Sequence, residues 1–112
     1  MIISSGVDRT RGLRVEIDPL VYVNFPNESA FVLNLSDRGM AIQTMDVLSP
    51  GQLYPFSFPL PETEGPIQGQ ARISWSDQSG RAGMEFIRLS DFDRQRLTQW
   101  VVQNGHRASR PN

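Results

Sequence analysis

Most of the chain alternates apolar and polar residues, which is the pattern of a half-buried β-strand. About six stretches show this alternation: residues 14–25, 31–35, 40–42, 54–60, 70–76 and 84–86. Turn-forming residues separate the stretches at intervals of roughly eight to twelve residues. The pattern therefore predicts a small antiparallel β-barrel or sandwich.

Two of the stretches contain a residue that affects how the strand is expected to pair or pack. The dipeptide Asp18-Pro19 interrupts the first, because proline cannot donate a hydrogen bond to a neighbouring strand. In residues 70–76 the alternation assigns Trp75 to the apolar face that is expected to point into the core.

Residues 31–42 predict two strands joined by a tight polar corner. The apolar residues of the first strand share one parity and are expected to face the core: Phe31, Leu33 and Leu35. Asn34 and Ser36 have the opposite parity, so both are expected to point outward beside Gly39. An ordinary hairpin explains this corner, and so does a small hydrogen-bonding surface for a ligand.

At Ser90 the spacing of the apolar residues changes from every second residue to every third or fourth, which is typical of a helix start. Ser90 is a good N-cap, and Asp93 follows three residues later, as in a shortened capping box. The apolar positions of the helix are expected to share one broad face: Phe92, Leu97, Trp100 and Val101. Gly105 is a typical helix end, so the sequence predicts a helix over residues 91–104 and a polar tail over residues 105–112.

Composition narrows the possible functions. The chain has 112 residues, which is enough for one domain with its own core. Its formal net charge of -1 disfavours a nucleic-acid polymer as partner. It has no cysteine, no apolar run long enough for a membrane span and no signal-peptide pattern, so we expect a cytoplasmic protein.

The sequence offers little catalytic chemistry. The only histidine, His106, falls in the predicted tail, and Ser36 has no base near it in sequence. The acidic residues do not form a spacing typical of a metal site. We therefore expect neither an enzyme nor a bound metal.

All the basic residues of the chain are arginines, and several lie near its start. Residues 1–13 show no periodicity and are interpreted as an arm that carries Arg9 and Arg11, with Arg14 opening the first strand. This cluster is either an ordinary solvated group of charges or a clamp that orders around an anion.

The order of these parts resembles the PilZ domain, in which an arginine-bearing arm precedes a β-barrel and a closing helix. The segments that carry the resemblance are 34–39 (Asn-Leu-Ser-Asp-Arg-Gly), 40–42 (Met-Ala-Ile), 72–75 (Arg-Ile-Ser-Trp) and 83–86 (Gly-Met-Glu-Phe). The first segment contains the family's complete Asn/Asp-x-Ser-x-x-Gly motif. The resemblance implies a mainly β fold, a six-stranded antiparallel barrel with one C-terminal helix over residues 14–104.

The resemblance also implies a ligand, the bacterial second messenger cyclic di-GMP, whose signal passes to a protein partner or an attached domain. The residues implied as ligand contacts are Arg9, Arg11, Arg14, Asn34, Ser36 and Gly39. An arginine fork can bond phosphate oxygens, bond a guanine edge or stack on a base. Asn34 can donate and accept at a base edge, and Gly39 is expected to leave room for a purine. No cofactor is implied.

The arm departs from the family's Arg-x-x-x-Arg motif. Arg14 matches its second arginine, but Thr10 stands where the first is expected. Arg9 and Arg11 flank that position, so an arm shifted by one residue would present either of them.

Two alternatives to a nucleotide receptor follow. The first is a degenerate PilZ module that acts by protein contact, through the apolar face around Phe56 and Phe58 or through the helix. The second is a barrel that binds single-stranded nucleic acid through Tyr22, Trp75 and arginines, which the charge balance disfavours.

Overall fold

The computed structural model describes residues 14–17, 21–26 and 28–108. They form seven strands and one helix: β1 (Val15–Glu16), β2 (Tyr22–Asn24), β3 (Ser29–Leu35), β4 (Gly39–Gln43), β5 (Leu53–Pro59), β6 (Pro66–Ser76), β7 (Arg81–Leu89) and α1 (Asp91–Ala108). The arm of residues 1–13, the Asp18-Pro19 interruption and the last four residues of the predicted tail lie outside the described residues.

The strands close into an antiparallel barrel. Going round it, the neighbours are β2, β3, β4, β7, β6 and β5, and β5 returns to β2 through the pair Asn24 and Ser57. β1 and β2 both pair with β3, on either side of residues 18–20, so they occupy one position of the barrel. The prediction of a six-stranded barrel followed by one helix is confirmed.

A β-bulge in β3 changes which of its residues face the core. The pairs Val32 with Ile42 and Asn34 with Ala41 leave Leu33 as an extra residue in β3. An extra residue reverses the alternation, because the parity rule holds only along an unbroken ladder.

The inward residues of β3 are therefore Ala30, Val32 and Leu35. The prediction is right for Leu35 but wrong for Phe31, which is 37% exposed, and for Leu33, which is only half-buried.

The barrel is filled by apolar side chains, with aromatic rings from β5 and β7 at its centre. Phe56 and Phe86 stack with ring centroids 5.1 Å apart, and Phe58 stacks beside them. Burying each such side chain contributes about 2–3 kcal/mol. Because Phe56 and Phe58 are buried, the prediction that they offer a surface to a partner is wrong.

The helix begins as predicted. The backbone N–H of Asp93 donates to the hydroxyl of Ser90 (3.0 Å), which caps the first turn. Leu97, Trp100 and Val101 are buried against the barrel, but Phe92 is 70% exposed. Phe92 lies about 140° round the helix from Leu97, so the predicted face was too broad.

One arginine of the helix, Arg96, fastens it to the loop between β5 and β6, a role that the sequence did not predict. Its guanidinium donates to the side chains of Asp93 and Thr63 and to the carbonyls of Glu64, Gly65 and Pro66. The carboxylate of Asp93 in turn accepts from the backbone N–H of Gln68. This network fixes the helix to the loop between β5 and β6 and to the start of β6.

The helix ends at Ala108, four residues beyond the predicted end at residue 104. Gly105 therefore does not terminate it, and the prediction of a tail is wrong for residues 105–108. A single glycine inside a helix costs only about 1 kcal/mol relative to alanine, which neighbouring turns can offset. Within the described part of the chain, no helix combines the length and apolarity needed to cross a bilayer.

Candidate functional site

The corner between β3 and β4 is held together by the hydroxyl of Ser36. This oxygen accepts hydrogen bonds from the backbone N–H groups of Arg38 and Gly39 and donates to the carbonyl of Gly39, each at 3.2 Å. A hydroxyl has one donor and two acceptor positions, so these bonds use its full capacity. Ser36 is 7% exposed, and the prediction that it points outward is wrong.

Gly39 allows two strands to approach each other. A Cβ atom at this position would collide with the backbone carbonyl oxygen of Met84 on β7. Gly39 pairs with Glu85 in the ladder, so any larger residue would push β4 and β7 apart. The backbone packing of the barrel itself therefore requires the glycine of this motif.

Arg14 and Asn34 meet on the outside of the barrel. Nη1 of Arg14 donates a hydrogen bond to Oδ1 of Asn34 (2.6 Å). The pairing of Val15 with Leu35 places Arg14 diagonally across from Asn34 on the same face of the sheet, within reach of a long side chain. The structure thus brings together two of the predicted site residues, which are 20 positions apart in sequence.

A row of paired residues continues from Asn34 across the outer surface. Asn34 pairs with Ala41, Ala41 with Gly83, and Gly83 with Trp75. Three strand spacings of about 4.8 Å put the two ends of the row about 14 Å apart. The two central residues are small, so the row forms a shallow floor between Asn34 and Trp75, which we call the outer slot.

Trp75 forms the far wall of the outer slot. Its side chain is 47% exposed, and a Cβ atom at Gly83 would lie 2.7 Å from the indole Cδ1, so the indole rests directly over this glycine. The ladder shifts between Ile73 and Trp75, which turns Trp75 outward. The prediction that Trp75 faces the core is therefore wrong. A ring over glycine, half open to solvent, is suited to stacking on a planar base.

The hairpin that follows Trp75 is fixed by Asp77. Its carboxylate accepts from the hydroxyl of Ser79 (2.7 Å) and from the backbone N–H groups of Ser79 and Arg81. The hydrogen bond from the Ser79 hydroxyl is the main reason that the pKa of Asp77 is lowered. These bonds hold the turn that sets Trp75 beside β7.

Charges of both signs surround the corner. Arg38 and Arg94 line a polar cavity of about 240 Å³ together with Asp37 and Glu85. On the neighbouring strand Arg72 is paired with Glu85 at 3.0 Å. Glu16 pairs with Asn34 in the ladder, so a carboxylate also borders the outer slot. No group of residues that could hold a metal ion occurs in the described ranges.

The structure brings together only some of the predicted site residues. Arg14 and Asn34 lie on the outer surface, whereas Ser36 and Gly39 are buried in the corner beneath them. Arg9 and Arg11, like Thr10, lie outside the described residues.

The outer slot itself was missed, because the sequence does not reveal which residues pair with Asn34. Trp75 stands between two serines in a strand that alternates polar and apolar residues, so its position in the sequence does not distinguish it from the core residues of that strand.

Comparison with known proteins agrees with the fold. The family model of the PilZ domain matches residues 8–103, and the chain belongs to this family. PilZ domains are ligand-binding effector domains. A search of curated proteins found no significant match.

Among solved structures, the chain is similar to the Bacillus subtilis inhibitor of motility (MotI/DgrA), with a TM-score of 0.68 and 21% sequence identity. The match covers 88% of this chain and 52% of the other, so the chain spans about half the length of that protein. At this level of identity the likeness concerns the fold.

Proposed function

We propose that this chain is a cyclic di-GMP receptor domain that binds the nucleotide on its outer slot and passes the signal to a protein partner. The observation that carries the proposal is the hydrogen bond between Arg14 and Asn34 at one end of a flat row that ends at Trp75. An arginine fork, an amide and an exposed indole match the phosphates, base edges and base faces of such a ligand.

In this proposal the motif residues have different roles. Asn34 contacts a guanine edge, and Arg14 contacts a phosphate or the same base. Trp75, whose indole covers Gly83, stacks on the base beside the part of the floor made by Ala41. Ser36 and Gly39 act through the corner, because they fix the backbone that carries Asn34.

The arm completes the site in the proposal. With Thr10 in place of the first motif arginine, Arg9 or Arg11 supplies the second fork over the ligand. Losing one charge-assisted contact of this kind costs about 1.5–3 kcal/mol, or roughly one to two decades of affinity. Replacing whichever of these two arginines contacts the ligand should therefore lower the nucleotide affinity by a measurable amount.

Isothermal titration calorimetry of the whole chain with cyclic di-GMP tests the proposal. We expect saturable binding, weakened at least about tenfold by Arg14→Ala because a charge-assisted contact is lost. Arg88→Ala is the matched control, since Arg88 is exposed on β7 five positions along the chain from Gly83, and it should bind like the unaltered chain. No heat of binding at about 100 µM ligand would overturn the proposal.

The second candidate is a PilZ module that acts by protein contact without nucleotide. The observation that favours it is Glu16, whose carboxylate stands on the row beside Asn34 and repels phosphate. Two exposed charges about 4 Å apart in water interact by only about 1 kcal/mol, so this repulsion weakens phosphate binding without abolishing it. Titration of the unaltered chain and of Glu16→Gln with cyclic di-GMP separates the candidates. A receptor binds the nucleotide with Glu16 in place, whereas the second candidate predicts no binding by the unaltered chain.

A further inference from the structure

A second exposed feature of the barrel is an aromatic pair on β2 and β3. Tyr22 and Phe31 are directly paired across the two strands, their ring centroids are 4.8 Å apart, and they are 44% and 37% exposed. They line a cavity of about 360 Å³ with Met45, which is 93% exposed. We call the surface of Tyr22, Phe31 and Met45 the aromatic patch.

The aromatic patch adjoins the outer slot on the same face of the barrel. Phe31 pairs with Gln43, and Gln43 lies two residues from Ala41, the floor of the slot. Two residues along a strand span about 7 Å, so the surfaces are neighbours. A partner bound on the aromatic patch would therefore lie next to the proposed nucleotide.

The aromatic patch differs from the slot in charge, because two carboxylates border it. Glu28 precedes Ser29 in the chain and Asp46 follows Met45, and both of these neighbours line the cavity. Glu28 stands directly before the start of β3, and Asp46 stands three residues after the end of β4.

The two carboxylates are close enough to interact. Burial raises the pKa of Glu28, and the charge of Asp46 raises it further. Two carboxylates that repel each other beside exposed rings favour a cation and disfavour a phosphate.

We propose that the aromatic patch docks a protein partner through a segment in which an arginine or lysine stands beside an apolar side chain. The cation lies over the rings of Tyr22 and Phe31 and neutralises Glu28 and Asp46. The apolar side chain packs against Met45, whose flexible thioether adapts to irregular shapes. This docking site rests on the proposed function, because it describes the protein partner to which that receptor passes its signal. The docking itself does not require bound nucleotide.

The first test uses two synthetic peptides of equal length, one alternating arginine with leucine and one alternating glutamate with leucine. Each is titrated into the isotope-labelled whole chain and followed by NMR. We expect the arginine peptide to shift the amide signals of Tyr22, Phe31 and Met45, and the glutamate peptide to leave them unchanged. Equal shifts with both peptides would overturn the proposal, because the charge would then play no part.

Variants at exposed positions keep the test independent of folding. Met45→Ser and Asp46→Asn should each weaken binding of the arginine peptide about threefold, as expected for exposed contacts. Leu53→Ser is the matched control, since Leu53 is an exposed apolar residue that does not line the cavity. Equal affinity of Met45→Ser and the unaltered chain would also contradict the docking site.

Titration with cyclic di-GMP in the same assay separates this inference from the proposed function. We expect the nucleotide to move the indole signal of Trp75 and not the side-chain signal of Met45. If the nucleotide occupies the aromatic patch, the docking proposal fails. Nucleotide binding by the chain then stands, but the outer slot as its site does not. If the nucleotide binds nowhere and the arginine peptide still binds, the receptor proposal fails and the docking proposal stands.

Discussion

The two halves of the Asn34–Gly39 corner are built for different tasks. The inner half is buried, since the hydroxyl of Ser36 is used within the turn and Gly39 lies against the carbonyl of Met84. The outer half is open, since Asn34 bonds the exposed guanidinium of Arg14 and borders the outer slot. One short motif therefore contains residues that make the fold and a residue that is available to a ligand.

This difference predicts two kinds of mutant. A change in the inner half should lower stability and impair binding only through the displaced corner. A change in the outer half should lower affinity at unchanged stability. Melting temperature and nucleotide affinity, measured on the same variants, separate the two.

The largest effect is expected for Gly39→Ala. Its Cβ would overlap the Met84 carbonyl and force β4 away from β7, at a cost of about 3 kcal/mol. For a chain of this size that is a fall in melting temperature of about 12 °C.

Gly65→Ala is the control for this prediction. Gly65 has a φ of 81° and nothing near its Cβ position, so alanine there brings only backbone strain of about 1 kcal/mol. Equal falls in melting temperature for the two variants would show that the close contact with Met84 does not affect stability.

Ser36→Ala is expected to come next. It leaves the N–H groups of Arg38 and Gly39 without the hydroxyl that accepts from them, at a cost of about 2 kcal/mol in unfolding free energy. Urea unfolding measures this loss. Ser74→Ala serves for comparison, because that hydroxyl makes one bond, to the carbonyl of Gly83. A Ser36→Ala variant as stable as Ser74→Ala would refute the structural role of Ser36.

Asn34→Ala tests the outer half. It removes an amide that is partly open to solvent, so we expect a melting temperature within a few degrees of the unaltered chain. Affinity for cyclic di-GMP should fall about tenfold because a base-edge contact is lost. A variant that loses stability and keeps its affinity would contradict the assignment of the outer half to ligand binding.

The smallest effect is expected for Glu16→Gln. Removing the carboxylate that pairs with Asn34 in the ladder should raise nucleotide affinity about threefold, the size of an exposed charge interaction. The gain should shrink as salt is added, because salt screens exposed charges. Calorimetry at two salt concentrations checks both statements.

Much of the fold could be predicted from the sequence, because alternation and turn residues are local signals. The helix start at Ser90, the hairpin at Asp77 and the apolar face of β5 were all predictable in this way. The errors at Phe31 and Trp75 share one cause, since a bulge in each strand reverses the parity that the alternation implies. A bulge depends on how two strands pair and leaves little trace in either strand alone.

The site could be predicted only in part, for the same physical reason. The motif identifies Asn34, but its contact with Arg14 and its row to Trp75 arise from the pairing of strands distant in sequence. Likewise, the sequence does not show that Ser36 is saturated within its own turn. Local patterns predict elements, whereas the pairing between elements decides which side chains face a ligand.

The two tryptophans allow the most direct test of the central claim that cyclic di-GMP binds on the outer slot. Trp75 is half exposed at the end of the slot, whereas Trp100 is buried and its indole N–H donates to the carbonyl of Pro61. In an NMR titration of the whole chain with cyclic di-GMP, the account predicts that the indole signal of Trp75 shifts and that of Trp100 stays in place. A saturating titration that leaves the Trp75 signal unmoved would contradict it.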